Sequence, residues 1–259
     1  MGKGFIMAID SHMHINSIVL EKVKISEYIN EIINNHDIKS VINVGLNIDT
    51  SNESLLISKI NSNFYSTIGI HPLYIESQNV ESLYELGTCD RVVAIGEIGL
   101  DSTKNNFDEQ KSYLIKQIII ANELHLPVVI YANNTNKLII EIFKKYVKPK
   151  YGCVFHCFQP DIDDLKYLIE NGYYISFAGR ITYKTAKKSI EVAKIVPNDL
   201  FLVETDSPYI SPEPFRGEIN RTSNIKYIIS KIAEVKEMSF EEIESITTQN
   251  TKRLFKKMK

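Results

Sequence analysis

Apolar positions along this chain alternate between two kinds of pattern. Short runs rich in β-branched and aromatic residues occur at 5–15 (FIMAIDSHMHI), 40–47 (SVINVGLN), 64–72 (FYSTIGIHP) and 92–101 (VVAIGEIGLD) and predict strands. Four more follow at 127–133 (PVVIYAN), 151–158 (YGCVFHCF), 173–179 (YYISFAG) and 200–208 (LFLVETDSP). Between them the apolar residues recur at helical spacing. In 108–125 they are Leu114, Ile118, Ala121 and Leu124; shorter stretches at 25–37 and 161–172 repeat the pattern, the latter closing on Gly172 as a C-cap.

Strict alternation of strand and helix predicts parallel pairing, and strands this apolar predict burial on both faces. Eight such units in roughly 200 residues predict an α/β fold of the closed (β/α)8 barrel type. A doubly wound open sheet is the rival, but no glycine-rich phosphate loop follows the first strand. The tail from 239 (SFEEIESITTQNTKRLFKKMK) predicts an extra C-terminal helix on the outside. No linker or low-complexity segment breaks the count, so residues 1–259 are expected to form a single domain.

Composition changes this picture little. Apolar residues make up 44% of the 259 and charged residues 24%, enough for a sizeable core in a soluble protein. A net charge of −2 excludes a general nucleic-acid coat or membrane-surface binder and leaves a local basic groove open. The start (MGKGFIMAID) has too short an apolar run for a secretory signal, and no stretch has the roughly 20 apolar residues of a membrane span. Three cysteines, Cys89, Cys153 and Cys157, form no CxxC pair, and the expected setting is the reduced cytoplasm.

In such a barrel the chemistry lies at the C-terminal ends of the strands. Those ends carry Asp10, His12 and His14, then His71, Glu97 and Asp101, His156, and finally Glu204 and Asp206. Four of the six histidines fall there. Residues two apart on a strand share a face, so His12 and His14 both project into the mouth. Two neutral imidazoles close together suit a divalent metal, and Glu97 and Asp206 would supply the negative charge. Each histidine by itself also reads as a hydrogen-bonded core residue; the metal reading rests on the ring they form together.

The motifs DSHMH, GIHP, AIGEIGLD, HCF and VETDSPY, followed by RGEIN and TTQNTKRLF, resemble the TatD-type metal-dependent deoxyribonucleases of the amidohydrolase superfamily. They match in order over nearly the whole chain. The resemblance implies a TIM barrel, divalent metals and hydrolysis of DNA phosphodiesters. It implies that His12, His14 and Asp206 hold one metal, that Glu97 bridges to a second, and that His156 is a ligand of that second metal. One position departs. Relatives ordinarily end the fifth strand in histidine, a small residue, arginine and aspartate, where this chain has Tyr131, Ala132, Asn133 and Asn134. A phenol, with an ordinary pKa of about 10, is a poor ligand near neutral pH, so one or two ions (Mg, Mn or Zn) are expected per chain. After Arg216 and Asn220, Arg221 and Thr222 replace the acidic residue and proline that often follow in relatives.

The expected activity is therefore a DNA phosphodiesterase in which Asp206 orients or deprotonates the attacking water, with Glu97 as its catalytic partner and His71 and Arg216 on phosphate. A single-metal hydrolase of an ester or amide, with a small-molecule or aminoacyl substrate, is the alternative that Tyr131 makes less remote; a binding protein without turnover is a third. Cys153 and Cys157 read as small buried hydrophobes, His36 and His125 as helix-end residues, and Asp101 as a group that orients a ligand. Tyr131 reads either as a filler of the vacated space or as a stacking surface for a base.

Overall fold

A computed structural model describes residues 7–159 and 161–259. Its strands are β1 (Ala8–Met13), β2 (Ile38–Val44), β3 (Phe64–Ile68), β4 (Val92–Asp101), β5 (Val128–Asn133), β6 (Cys153–Phe155), β7 (Tyr174–Phe177) and β8 (Phe201–Val203). All seven successive pairings are parallel, in the order β1 to β8. Backbone bonds just past the strands draw β1 and β8 together: His14 N–H donates to Ser207 O at 2.7 Å, and Asp206 N–H to His12 O at 3.0 Å. The start of the first expected strand, Phe5 and Ile6, lies outside the described residues. The helices are α1 (Ile25–Ile33), α2 (Ile48–Ser58), α3 (Ser82–Gly87), α4 (Phe107–Glu123), α5 (Asn136–Lys145), α6 (Ile162–Glu170), α7 (Lys187–Ile195), α8 (Ile225–Lys236) and α9 (Phe240–Leu254).

Side-chain parity builds the two cores. Ile9, Ile42, Tyr65, Val129, Val154, Tyr174 and Leu202 fill the barrel, while their neighbours Ala8, Val41, Phe64, Val128, Cys153, Ile175 and Phe201 pack outward with the helices. The extra helix α9 is present, opened by a Ser239–Glu242 capping box. Its last residue, Leu254, and the segment following it close the N-terminal end of the barrel, because Leu254, Phe255 and Met258 join the inner core. Gly172 takes the left-handed conformation (φ 67°) after α6, one residue beyond the cap Asn171, where a side chain would be strained. With the floor plugged by apolar side chains, the C-terminal mouth is the end where polar groups collect.

Candidate metal-dependent active site

Two irregularities aim the ligands. On β4, Ile95 pairs with Val128 and Ile98 with Ile130, so three steps on β4 match two on β5 and one extra residue bulges at Gly96–Glu97. On β1, Asp10 pairs with Val41 and Met13 with Asn43, an extra residue of the same kind beside His12. These bulges turn Glu97 and His12 into the mouth. Inward parity from Val154 and Leu202 carries His156 and Glu204 there as well. Asp206 arrives from β8 in the left-handed region (φ 56°), a conformation costing on the order of 1–2 kcal/mol for a non-glycine residue.

The donor atoms converge. His12 Nε2 and His14 Nε2 are 3.2 Å apart. Glu97 Oε2 lies 3.4 and 3.7 Å from them, and Asp206 Oδ1 lies 3.7 and 3.2 Å away. The other Glu97 oxygen faces His156 Nε2 at 3.0 Å and His71 Nε2 at 3.6 Å. The His12 and His156 rings stack 4.0 Å apart at 9°. His12, His14, His71, Glu97, His156 and Asp206 are all buried.

Charge in this pocket is compensated within it. Burial alone would raise Glu97, but the His156, His12 and His71 rings hold its carboxyl well below the ordinary range. Burial likewise opposes ionisation of Asp206, and the bond from His14 overcomes it and lowers the pKa. His156 is lowered by burial but raised more by the Glu97 and Glu204 carboxylates, ending well above 6.5. His14 is raised in the same sense, by Asp206. The site thus stores positive charge on His14 and His156, while burial lowers His12, and a divalent cation would meet the same demand. The separations agree: bonds of about 2.1 Å from an ion to nitrogen and oxygen ligands place neighbouring ligand atoms roughly 3.0–3.4 Å apart. His12, His14 and Glu97 form one set of donor atoms close enough to hold it, and His12, His156 and Asp206 form a second.

The remaining expected residues divide. His71 stands in the mouth as a neutral imidazole, its pKa pushed down to about 4 by burial. Its Nδ1 accepts from Leu73 N–H at 3.2 Å, leaving Nε2–H as the donor. Arg216 does not join the cluster; it is exposed, its guanidinium 4.4 Å above the Tyr183 ring. Tyr131 points inward, as its parity with Val129 requires, but its hydroxyl donates to Asp101 Oδ2 at 2.8 Å. Its ring fills space beside His71, with centroids 4.3 Å apart. Asp101 also accepts from Thr103 and from Asn133 at 3.3 Å, so it anchors the fifth-strand end and touches no metal-ligand candidate.

Three residues take roles that the sequence pattern does not show. Asp10, placed among the strand ends, turns instead to Thr205 and accepts its backbone N–H at 2.9 Å, pinning β1 to β8. Glu204 is buried and bonded to His156 Nδ1 at 3.2 Å, Cys157 N at 2.7 Å and Ser176 Oγ at 2.7 Å. Its place directly after β8, two residues before Asp206, is the signal in the sequence. Cys157 does not pack outward as a buried hydrophobe: its φ of 43° turns it toward a cavity, where it is half-buried. Cys153 is buried in the outer core, as expected.

A match to the TatD related DNase family spans residues 9–256. This chain belongs to the TatD-related DNase family. It is 37% identical to the Bacillus subtilis metal-dependent hydrolase YabD over 96% of this chain and 99% of that protein. It is 35% identical to the Escherichia coli metal-dependent hydrolase YcfH over 74% of each. Among solved structures, the Escherichia coli TatD homologue YjjV superposes with a TM-score of 0.87 at 24% identity, over 97% of this chain and 99% of that one. This TatD-family member is a metal-dependent hydrolase on a TIM barrel, and among its described residues no helix is long and apolar enough to cross a membrane.

Proposed function

We propose that this TatD-family hydrolase is a deoxyribonuclease acting in the cytoplasm. The observation that carries the reading is the pair of His12 and His14 imidazoles at the barrel mouth, each within 3.7 Å of a Glu97 oxygen and of an Asp206 oxygen. A divalent ion held there would supply Lewis acidity toward a phosphate oxygen and toward water. The Asp206 carboxylate, ionised at neutral pH, accepts the proton of the attacking water on the oxygen that does not face the histidines. Glu97 fixes the positions of His12, His14 and His156 through both of its oxygens. The His71 Nε2–H donates to a phosphate oxygen and remains neutral while doing so. The three free cysteines are consistent with a reducing compartment.

A second reading rests on Tyr131. Because its hydroxyl is committed to Asp101, it offers no ligand to a second ion, and a single-metal hydrolase of small esters or amides fits the same mouth. The test is metal quantification on purified protein together with a nuclease assay in added Mg, Mn or Zn. Oligonucleotide cleavage that is lost in EDTA and in Asp206→Asn is expected. Metal-dependent cleavage of small esters without any cleavage of DNA would refute the nuclease reading in favour of the second.

A further inference from the structure

A buried phenol reaches the segment that carries Asp206 from outside the barrel. Tyr28 belongs to α1 and is fully buried; its hydroxyl lies 2.9 Å from Ser207 Oγ and 3.1 Å from Thr222 Oγ1. It also accepts the Thr222 N–H at 3.1 Å. Burial pushes its pKa up to about 12, so it stays neutral and acts only as a hydrogen-bonding group. The Thr222 hydroxyl donates in turn to Sδ of Met13, the residue between His12 and His14, at 3.4 Å. With that proton committed, the Tyr28 hydroxyl donates to Thr222 Oγ1 and accepts from Ser207.

Arg221 closes over this phenol. Its guanidinium lies 5.1 Å from the centre of the Tyr28 ring, and its Nη1 is 2.9 Å from Glu31 Oε2, on the same face of α1 as Tyr28. Arg221 and Thr222 are the two residues after Asn220 that depart from the pattern of relatives. A proline at 222 would have neither the N–H nor the hydroxyl that meets Tyr28, and an acid at 221 would repel Glu31. The departure therefore gives this chain its own attachment of the segment after β8 to α1.

Ser207 is the residue that the phenol holds. Among the described residues Tyr28 is the one partner of its hydroxyl, while its N–H donates to Thr205 Oγ1 at 3.2 Å and its carbonyl accepts the His14 N–H at 2.7 Å. It directly follows Asp206, whose left-handed backbone is unfavourable by itself and has to be held by its surroundings. We propose that Tyr28 is a positioning residue of the metal site: through Ser207 it fixes the turn that keeps Asp206 Oδ1 facing His12 and His14. The inference concerns the ligands alone and holds for either substrate class.

The experiment is a calorimetric titration of metal-free protein with Zn or Mn, paired with a thermal melt in EDTA. Tyr28→Phe keeps the ring and removes the hydroxyl. It is expected to weaken metal binding about tenfold, the low end for loss of a group that supports a ligand. Its Tm should fall by about 5 °C. Ser207→Ala should weaken metal binding to a similar degree, and the double variant no further than either alone, because both remove the same link. Leu254→Ala, at the opposite end of the barrel, should melt earlier still yet bind metal as wild type does. If Tyr28→Phe binds metal within about twofold of wild type, or no more weakly than Leu254→Ala, Tyr28 is a packing residue and the inference is overturned. Losses that add in the double variant overturn the route through Ser207. A wild-type protein that takes up neither ion overturns the metal reading itself.

Discussion

Glu204 is the buried carboxylate whose removal should be felt in folding and in metal binding at once. It accepts from Cys157 N–H, from the Ser176 hydroxyl and from the His156 Nδ1 side, and it is 1% exposed. Glu204→Ala strands these donors where water does not reach. Each unsatisfied buried donor costs about 1–3 kcal/mol, and breaking a buried charged pair costs about 3–5 kcal/mol in all. For a protein of this size each kcal/mol lowers Tm by about 2–4 °C, so the metal-free variant should melt about 10 °C below wild type. Glu204→Gln keeps the shape but gives up roughly half of each charge-assisted bond, so its loss should be about 1–2 kcal/mol. Either change also frees the His156 ring, whose Nδ1 proton Glu204 holds so that Nε2 faces the ligand cluster. Loss of such an outer partner typically weakens metal binding by about 10–100-fold. Thermal melts in EDTA and calorimetric titration with Zn or Mn read the two effects separately. If Glu204→Ala melts with wild type and binds metal within about twofold of it, the positioning argument fails.

Tyr131→His should tighten a second ion, raising bound metal per chain in equilibrium dialysis, whereas a native protein already holding two tight ions would contradict the reading of the fifth strand. Tyr131→Phe, which removes only the bond to Asp101, should cost about 1 kcal/mol in a denaturant melt. His71 gives a pH signature: its folded pKa of about 4 lies below the ordinary 6.5, so its contribution to stability is present above the unfolded value and lost as pH falls toward 4. Between pH 7 and 4, in EDTA, His71→Asn should therefore lose about 3 kcal/mol less stability than wild type, and parallel urea-midpoint curves for the two would show that His71 is not held neutral by burial.

The period of the apolar pattern was enough to place every strand and to predict the barrel, because alternation of strand and helix in a parallel sheet admits few closures. Parity within strands was legible too. Val129 to Tyr131, Val154 to His156 and Leu202 to Glu204 each step from barrel core to mouth, a relation that depends only on spacing two residues apart. The motifs therefore located the candidate ligands, and the departure at Tyr131 was visible as a change of residue type. What sequence left open were directions and partners. The bulges at Glu97 and His12 shift the count by one, and pattern alone does not show where a strand absorbs an extra residue. Asp10 and Glu204 look alike as acids at strand ends, yet one pins β1 to β8 and the other holds His156. Arg180, an unremarkable cation in the sequence, gains a place beside the mouth only when β7 is set next to β6. Hydrophobic burial follows local periodicity and can be read residue by residue; which polar group faces which is decided by strands far apart in sequence, and only the closed barrel brings those together.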